Sequence, residues 1–169
     1  CGINSSAGFN TYPNSYAAYL IIKNPCGTVA GSIAPIYVSD RADARFSSNK
    51  DSIYETESIL FTHIGDAGKA VENGQCTSGK IVWRINSLTL GGSWSVKAGS
   101  FLGNDFGMAY PGFWNSGSSV IDIIFNVSGT YKLTLLAANN SFCGIDSVTK
   151  YIYVSSSSPP TPTLSLTQP

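Results

Sequence analysis

The chain has 169 residues, ten Lys and Arg against ten Asp and Glu, and only 12% charged residues, with Ser, Thr, Asn and Gly abundant. A neutral chain without a basic cluster lacks the electrostatic footprint of a nucleic-acid or anionic-membrane binder, and no run of about 18 apolar residues is present to cross a bilayer as a helix. The composition favours a secreted β-protein over a helical or coiled-coil one.

Taken in order, residues 16–23 form a strongly apolar strand and residues 33–38 a second one, in which Pro35 suits a sheet edge. Residues 39–45 are a short charged junction. Residues 59–63 read as a strand, 67–79 as a loop carrying Cys76, and 80–85 as a strand with Trp83 on one face. Residues 93–96 are a short strand, and 99–117 the longest irregular stretch, rich in Gly and aromatics. After a strand at 120–125, residues 128–155 alternate twice around a turn at 139–144, giving two half-buried strands. Beyond 155 a Ser/Pro/Thr spacer leads to Leu164 and Leu166, which suit the first strand of a further module. Helical periodicity appears nowhere.

The strongest pattern is a duplication. Residues 16–39 match 128–155 at the aromatic start, at Asn24 with Asn139, at Cys26-Gly27 with Cys143-Gly144, and at I-Y-V-S in both. The spacing, 143 minus 26 or 117 residues, is a domain period and not a solenoid period of about 20 to 50. The chain therefore carries one domain ending twice. We expect residues 1–38 to be the C-terminal part of an upstream domain, 39–154 a complete domain, and 155–169 a linker with the start of a following module or a donor strand.

Residues 121–154, with F-N-V-S-G-T-Y-K-L-T-L-L-A-A-N-N-S-F-C-G-I-D-S-V-T-K-Y-I-Y-V, resemble the signature of polycystic-kidney-disease (PKD) domains. That signature is an apolar strand, G-T-Y, an alternating strand, Asn, a Cys-Gly turn and a closing strand ending Ile-x-Val. The Cys-Gly form is similar to the tandem repeats of large surface proteins secreted by Bacteroidetes, gliding adhesins among them. The family's W-x-F-G-D-G core motif is absent, and Val82-Trp83-Arg84-Ile85 stands where its tryptophan strand should be. The resemblance implies an all-β, Ig-like or PKD-like antiparallel sandwich and a secreted, cell-surface location.

Four cysteines suit an oxidising compartment and allow three pairings. Because Cys26 and Cys143 are equivalent positions in successive copies, pairing Cys1 with Cys26 and Cys76 with Cys143 keeps each bond inside one domain. Closing the second loop would stabilise by about 4 kcal/mol in the chain-entropy picture. Cys1-Gly2 also fits the acylated start of a bacterial lipoprotein, but the match of residues 1–38 to a domain's tail favours a chain that continues upstream.

Chemistry-bearing residues are few. His63 is the only histidine and no G-x-S-x-G elbow accompanies it, so a nucleophilic triad is not expected. Glu55 and Glu57 have the alternation of a glycosidase carboxylate pair without aromatic flanks, and solvated charges are the favoured reading. No cofactor is required; the one the residues admit is calcium, at Asp40, Asp43 and Asp51, with Asn49 adding an oxygen, although the spacing matches no loop motif. Tyr110, Phe113 and Trp114 offer either a platform for stacking on sugar rings or a cap on the core, the cap being favoured. Asp51-Ser52-Ile53 and Asp146-Ser147-Val148 resemble O-glycosylation acceptors of Bacteroidetes, at Ser52 and Ser147. Asn4, Asn126 and Asn139 begin N-x-S sequons.

The function expected from this reading is non-enzymatic: a stiff structural or adhesive repeat of a large secreted protein. Its partners are neighbouring domains of the same polypeptide or filament and surface polysaccharide, without nucleic acid or direct membrane insertion. Two alternatives stay open. One is a polysaccharide-binding accessory module of a secreted hydrolase; the other is a filament subunit whose residues 161–169 insert as a donor strand into a neighbour.

Overall fold

The computed structural model describes residues 16–18, 20–31, 34–36, 38–72, 75–140 and 144–156. Among them every regular element is a strand except one 3-10 turn, Pro111–Phe113. The all-β expectation holds.

Alternating apolar residues build two four-stranded sheets. One places β11 (Trp94–Val96), β12 (Val120–Phe125), β7 (Ser58–His63) and β5 (Phe46–Ser48) side by side in that order. The other runs β10 (Lys80–Ser87), β13 (Gly129–Ala138), β14 (Asp146–Ser155) and β6 (Ser52–Tyr54). With β5, β7, β10, β11, β12, β13 and β14 lettered A to G, the orders are D-E-B-A and C-F-G, the immunoglobulin arrangement. Two hallmarks of that fold fall in place: Trp83 is buried on the third strand and Tyr131 begins the sixth.

One pair departs from the expected all-antiparallel ladder. β6 runs parallel to β14, with Tyr153 beside Ser52 and Ser155 beside Tyr54. The chain leaves β5 in one sheet, turns at 49–51 and joins the other, so that β6 arrives alongside the last strand in the same direction; strands that switch sheets in this way make the corners of sandwiches.

Inward residues of both sheets fill one core: Phe46, Ile59, Phe61, Ile121, Ile123 and Phe125 from one, and Ile53, Ile81, Trp83, Ile85, Tyr131, Leu133 and Leu135 from the other. Trp83 meets Phe46 edge to face at 5.3 Å between ring centres. Each fully buried Phe or Leu contributes about 1.5–3 kcal/mol over its exposed state. Residues 67–79, expected as a loop, contain a hairpin, β8 (Lys69–Glu72) with β9 (Gln75–Ser78). Asn73-Gly74 is the hairpin signal in the sequence that points to it.

The first copy of the duplicated segment is also a hairpin. β1 (Tyr16–Ala18) pairs with β4 (Ala34–Ile36), and β2 (Ile21–Asn24) pairs with β3 (Gly27–Ala30), antiparallel in both cases. The Asn24 side-chain oxygen accepts the Cys26 N–H at 2.9 Å and holds the turn. Counting from the matched Asn and I-Y-V-S positions, Leu20, Ile22, Ile36 and Val38 correspond to Leu135, Ala137, Ile152 and Val154. The second set is 0–5% exposed, whereas the first is 61%, 56%, 51% and 49% exposed. The same apolar pattern thus buries a core in one copy and faces solvent in the other. A lone two-stranded ribbon is marginal in water.

The junction is fixed to the sandwich. The Asp40 N–H donates to the Lys69 carbonyl at 3.0 Å, and the amide of the buried Asn139 donates to the Asp40 carbonyl and, at 3.3 Å, to that of Lys69.

Candidate binding surface

The irregular stretch 99–117 covers the free edge of β10. The Trp83 N–H donates to the Leu102 carbonyl at 2.8 Å, the Gly117 N–H to that of Ile81 at 2.7 Å, and the Ile81 N–H to Ser116 Oγ at 3.2 Å. These bonds occupy backbone groups that an edge strand would otherwise present to another chain. Asn104 and Asn115 exchange both backbone bonds, at 2.9 and 2.8 Å. Arg84 pairs with Asp105, and Lys80 Nζ donates to the Gly112 carbonyl at 2.7 Å.

The three aromatic residues singled out in this stretch separate. Trp114 is 2% exposed and packs with Val82, Leu136 and Ala138, its indole N–H donating to the Met108 carbonyl at 2.8 Å. The platform therefore loses Trp114, which anchors the loop to the outer side of the β10–β13 sheet because Val82 and Ala138 are apolar at outward positions. Tyr110 and Phe113 stay exposed and meet edge to face at 5.5 Å. Phe101, Phe106 and Met108 of the same loop are exposed as well.

The acidic residues of the junction do not converge. Asp43 holds the Arg45 guanidinium at 2.7 Å, Asp40 and Asp51 are exposed, and no group of three His, Cys, Asp or Glu fit to hold a metal occurs among the described residues. Glu55 accepts the Ser128 N–H at 2.7 Å, while Glu57 accepts the Tyr54 N–H at 3.3 Å and pairs with Lys50. Both carboxylates cap backbone. The Tyr54 N–H and then Lys50 hold the Glu57 carboxyl below its ordinary value. His63 sets its Nε2 3.2 Å from the Asp43 carbonyl, beside an open cleft also lined by Asp66, Ser116 and Ser119. The Asp66 carboxylate there is turned to the Gly68 N–H at 2.9 Å.

Cys26 is a free, exposed thiol, which corrects the expected Cys1–Cys26 bond: it sits at the tip of a ribbon turn that projects into solvent. Cys76 is disulfide-bonded, with Cys1 and Cys143 both outside the described residues. Ser52 and Ser147 are exposed strand residues. Of the sequons, Asn126 is exposed, Asn139 is buried in the junction clamp, and Asn4 lies outside the described residues.

A surface that the sequence reading passed over lies on the outward face of β13, β14 and β6. Outward positions of β14 are Ser147, Thr149, Tyr151 and Tyr153; opposite them stand Thr134 at Thr149, Lys132 at Tyr151 and Thr130 at Tyr153. Ser52 and Tyr54 continue the face on β6. Tyr54, Tyr151 and Tyr153 are all more than half exposed. The hydroxyls of Thr134 and Thr149 are 2.9 Å apart. The signal was present as Y-x-Y at positions alternating with the buried Ile152 and Val154.

No family model and no curated protein matches this chain. What the surfaces can do must therefore come from their chemistry. Tyrosine offers an apolar ring face with a polar tip, the combination suited to contacts that are neither wholly dry nor wholly wet. On the loop, Tyr110 alone has that combination, beside the wholly apolar Phe101, Phe106 and Phe113.

Proposed function

We infer that this chain is a non-enzymatic structural and adhesive repeat of a secreted cell-surface protein built from tandem Ig-like sandwiches, with PKD-type repeats of Bacteroidetes adhesins as the nearest resemblance. The observation that carries the reading is the exposed hairpin 16–36. Its sequence repeats that of β13 and β14, and its apolar positions are those that close a sandwich core in the second copy. On this reading residues 1–38 end one repeat, 39–154 form the next, and 155–169 lead onward. The strands that complete the first hairpin belong to the preceding repeat.

Two features suit a load-bearing role. The junction after Val38 enters the sandwich with no spacer and is held there by Asn139 and Lys69. The first strand of the C-F-G sheet, β6, and its last, β14, run parallel. Tension on the module's two ends therefore loads their hydrogen bonds together in shear, and does not peel them one at a time.

The test is protease shaving of intact source cells followed by peptide mapping. Release of peptides from residues 40–156, joined to peptides that read through the N-terminal side of Cys1 into a further repeat, is the expected result. A polypeptide that starts at Cys1 and stays inside the cells would overturn the reading.

A further inference from the structure

The tyrosine face of β13, β14 and β6 has three properties in combination. It is open and continuous, because its residues come from neighbouring strands in unbroken register. It presents rings on alternate residues of one strand, Tyr151 and Tyr153, about 6.6–6.8 Å apart along the chain, with Tyr54 on the adjacent strand. Hydroxyls of Ser52, Thr130, Thr134 and Thr149 lie between and around the rings.

Its charge is one-sided. No outward position of these three strands carries a carboxylate, and the one cation among them, Lys132, makes no ion pair among the described residues. Of the flanking charges, Arg84 on β10 pairs with Asp105 and Glu57 beyond Tyr54 pairs with Lys50, Glu55 is turned to the Ser128 N–H, and Asp51 stands exposed before Ser52 at the head of β6. At the outward positions themselves the charge is that of Lys132, opposite Tyr151.

We propose that this face binds an extended acidic polysaccharide, with the rings of Tyr54, Tyr151 and Tyr153 against sugar faces and Lys132 against a carboxylate or sulfate. The spread of the rings over two strands of an open face selects an extended polymer over a compact ligand, since only a long chain meets all three. The rings supply apolar contact and the hydroxyls hydrogen bonds, as recognition of a polyhydroxylated ligand requires. The loop surface is the poorer candidate, because Trp114 is turned inward and, of the exposed rings, Tyr110 alone carries a hydroxyl beside Phe101, Phe106 and Phe113. This inference gives a ligand class to the adhesive part of the preceding reading, but it rests on a different observation and fails separately from it.

Native gel electrophoresis through polygalacturonate or alginate, with dextran as the neutral comparison, tests it on the whole chain. The acidic polymers should retard the protein and dextran should not. Tyr151→Ser with Tyr153→Ser should weaken retention about tenfold, and Lys132→Gln by several-fold, with the remainder lost in about 0.5 M NaCl. Tryptophan fluorescence and circular dichroism confirm that each variant is folded; all three residues are at outward positions. Equal retardation by dextran, indifference to the tyrosine pair, loss only in Phe113→Ser, or no retardation by any polymer would each overturn the assignment. None of these outcomes touches the tandem-repeat reading, which the peptide map decides.

Discussion

The hydroxyl of Tyr131 donates to the Val127 carbonyl four residues upstream at 2.6 Å, with the Ser93 carbonyl at 3.1 Å as a second acceptor. One side chain thus ties the β12–β13 turn to the entry of β11, while its ring packs on Phe125 at 4.6 Å. Tyr131→Phe keeps the ring and removes the tie. It should cost about 1–2 kcal/mol in urea unfolding followed by tryptophan fluorescence. Burial raises the Tyr131 hydroxyl above its ordinary pKa. A raised native value means that stability from this group is complete below the unfolded value near 10 and is lost as pH rises through the native one. The gap between parent and Tyr131→Phe should therefore narrow above about pH 10.

Asn139 is the buried polar residue that joins the end of β13 to the start of the module. Its amide serves two carbonyls, those of Asp40 and Lys69. Asn139→Ala removes the donor and should cost about 1–3 kcal/mol. Asn139→Asp, of the same size, places acceptor against acceptor and should cost more at neutral pH, with partial recovery as acid protonates the carboxyl. Urea midpoints of the two variants at pH 7 and pH 4 separate these effects; equal midpoints would show that the clamp carries no weight.

Trp114 and Phe113 are adjacent in sequence and opposite in role. Trp114→Ala should cost about 3–5 kcal/mol, because it opens a hole between Val82, Leu136 and Ala138 and frees the Met108 carbonyl. Phe113→Ala, at a residue 63% exposed, should stay within about 0.5 kcal/mol. Thermal unfolding with limited proteolysis checks both: only the Trp114 variant should be cut between residues 99 and 117.

Strand existence was legible because period-two alternation is a local property. Ile121, Ile123 and Phe125, or Tyr131, Leu133 and Leu135, announce one buried face without reference to any partner. The duplication likewise placed the closing hairpin in both copies. Three things were not legible. The parallel β6 depends on where the chain crosses between sheets, which three residues of alternation cannot declare. Trp114 was ambiguous because an aromatic in a Gly-rich loop can face either way, and only Val82 and Ala138 across the sheet settle it. The tyrosine face was overlooked because exposed positions in a strand read as simply polar, and only the register brings Tyr54, Tyr151, Tyr153 and Lys132 to one face.

Cys26 and Cys76 should differ sharply in reactivity. The Cys26 thiol sits exposed at a hairpin turn, and Cys76 is disulfide-bonded. Brief treatment of native protein with a maleimide, followed by peptide mapping, should modify Cys26 and leave Cys76 until a reductant is added. Rapid unreduced modification of Cys76 would contradict this assignment.

Lys150 stands in register with the buried Leu133, on the inward side of β14, and its ammonium lies 4.9 Å from the centre of the Phe46 ring. β6 pairs with β14 only from Tyr153 to Ser155, and among the described residues no strand covers the outer edge of β14 from Ser147 to Ile152. An uncovered edge is a template for another strand, and an inward-pointing charge is one way to blunt it, since docking a second sheet there would bury the ammonium. Lys150→Val removes that penalty and extends the apolar column of Val148 and Ile152. The variant should keep its fold yet shift toward larger species as concentration rises, whereas Lys150→Arg should behave as the parent does. Sedimentation velocity of the three proteins over a hundredfold concentration range reads the difference. A Lys150→Val protein that sediments like the parent throughout would show that the edge is protected by its shape or its neighbours and not by this charge.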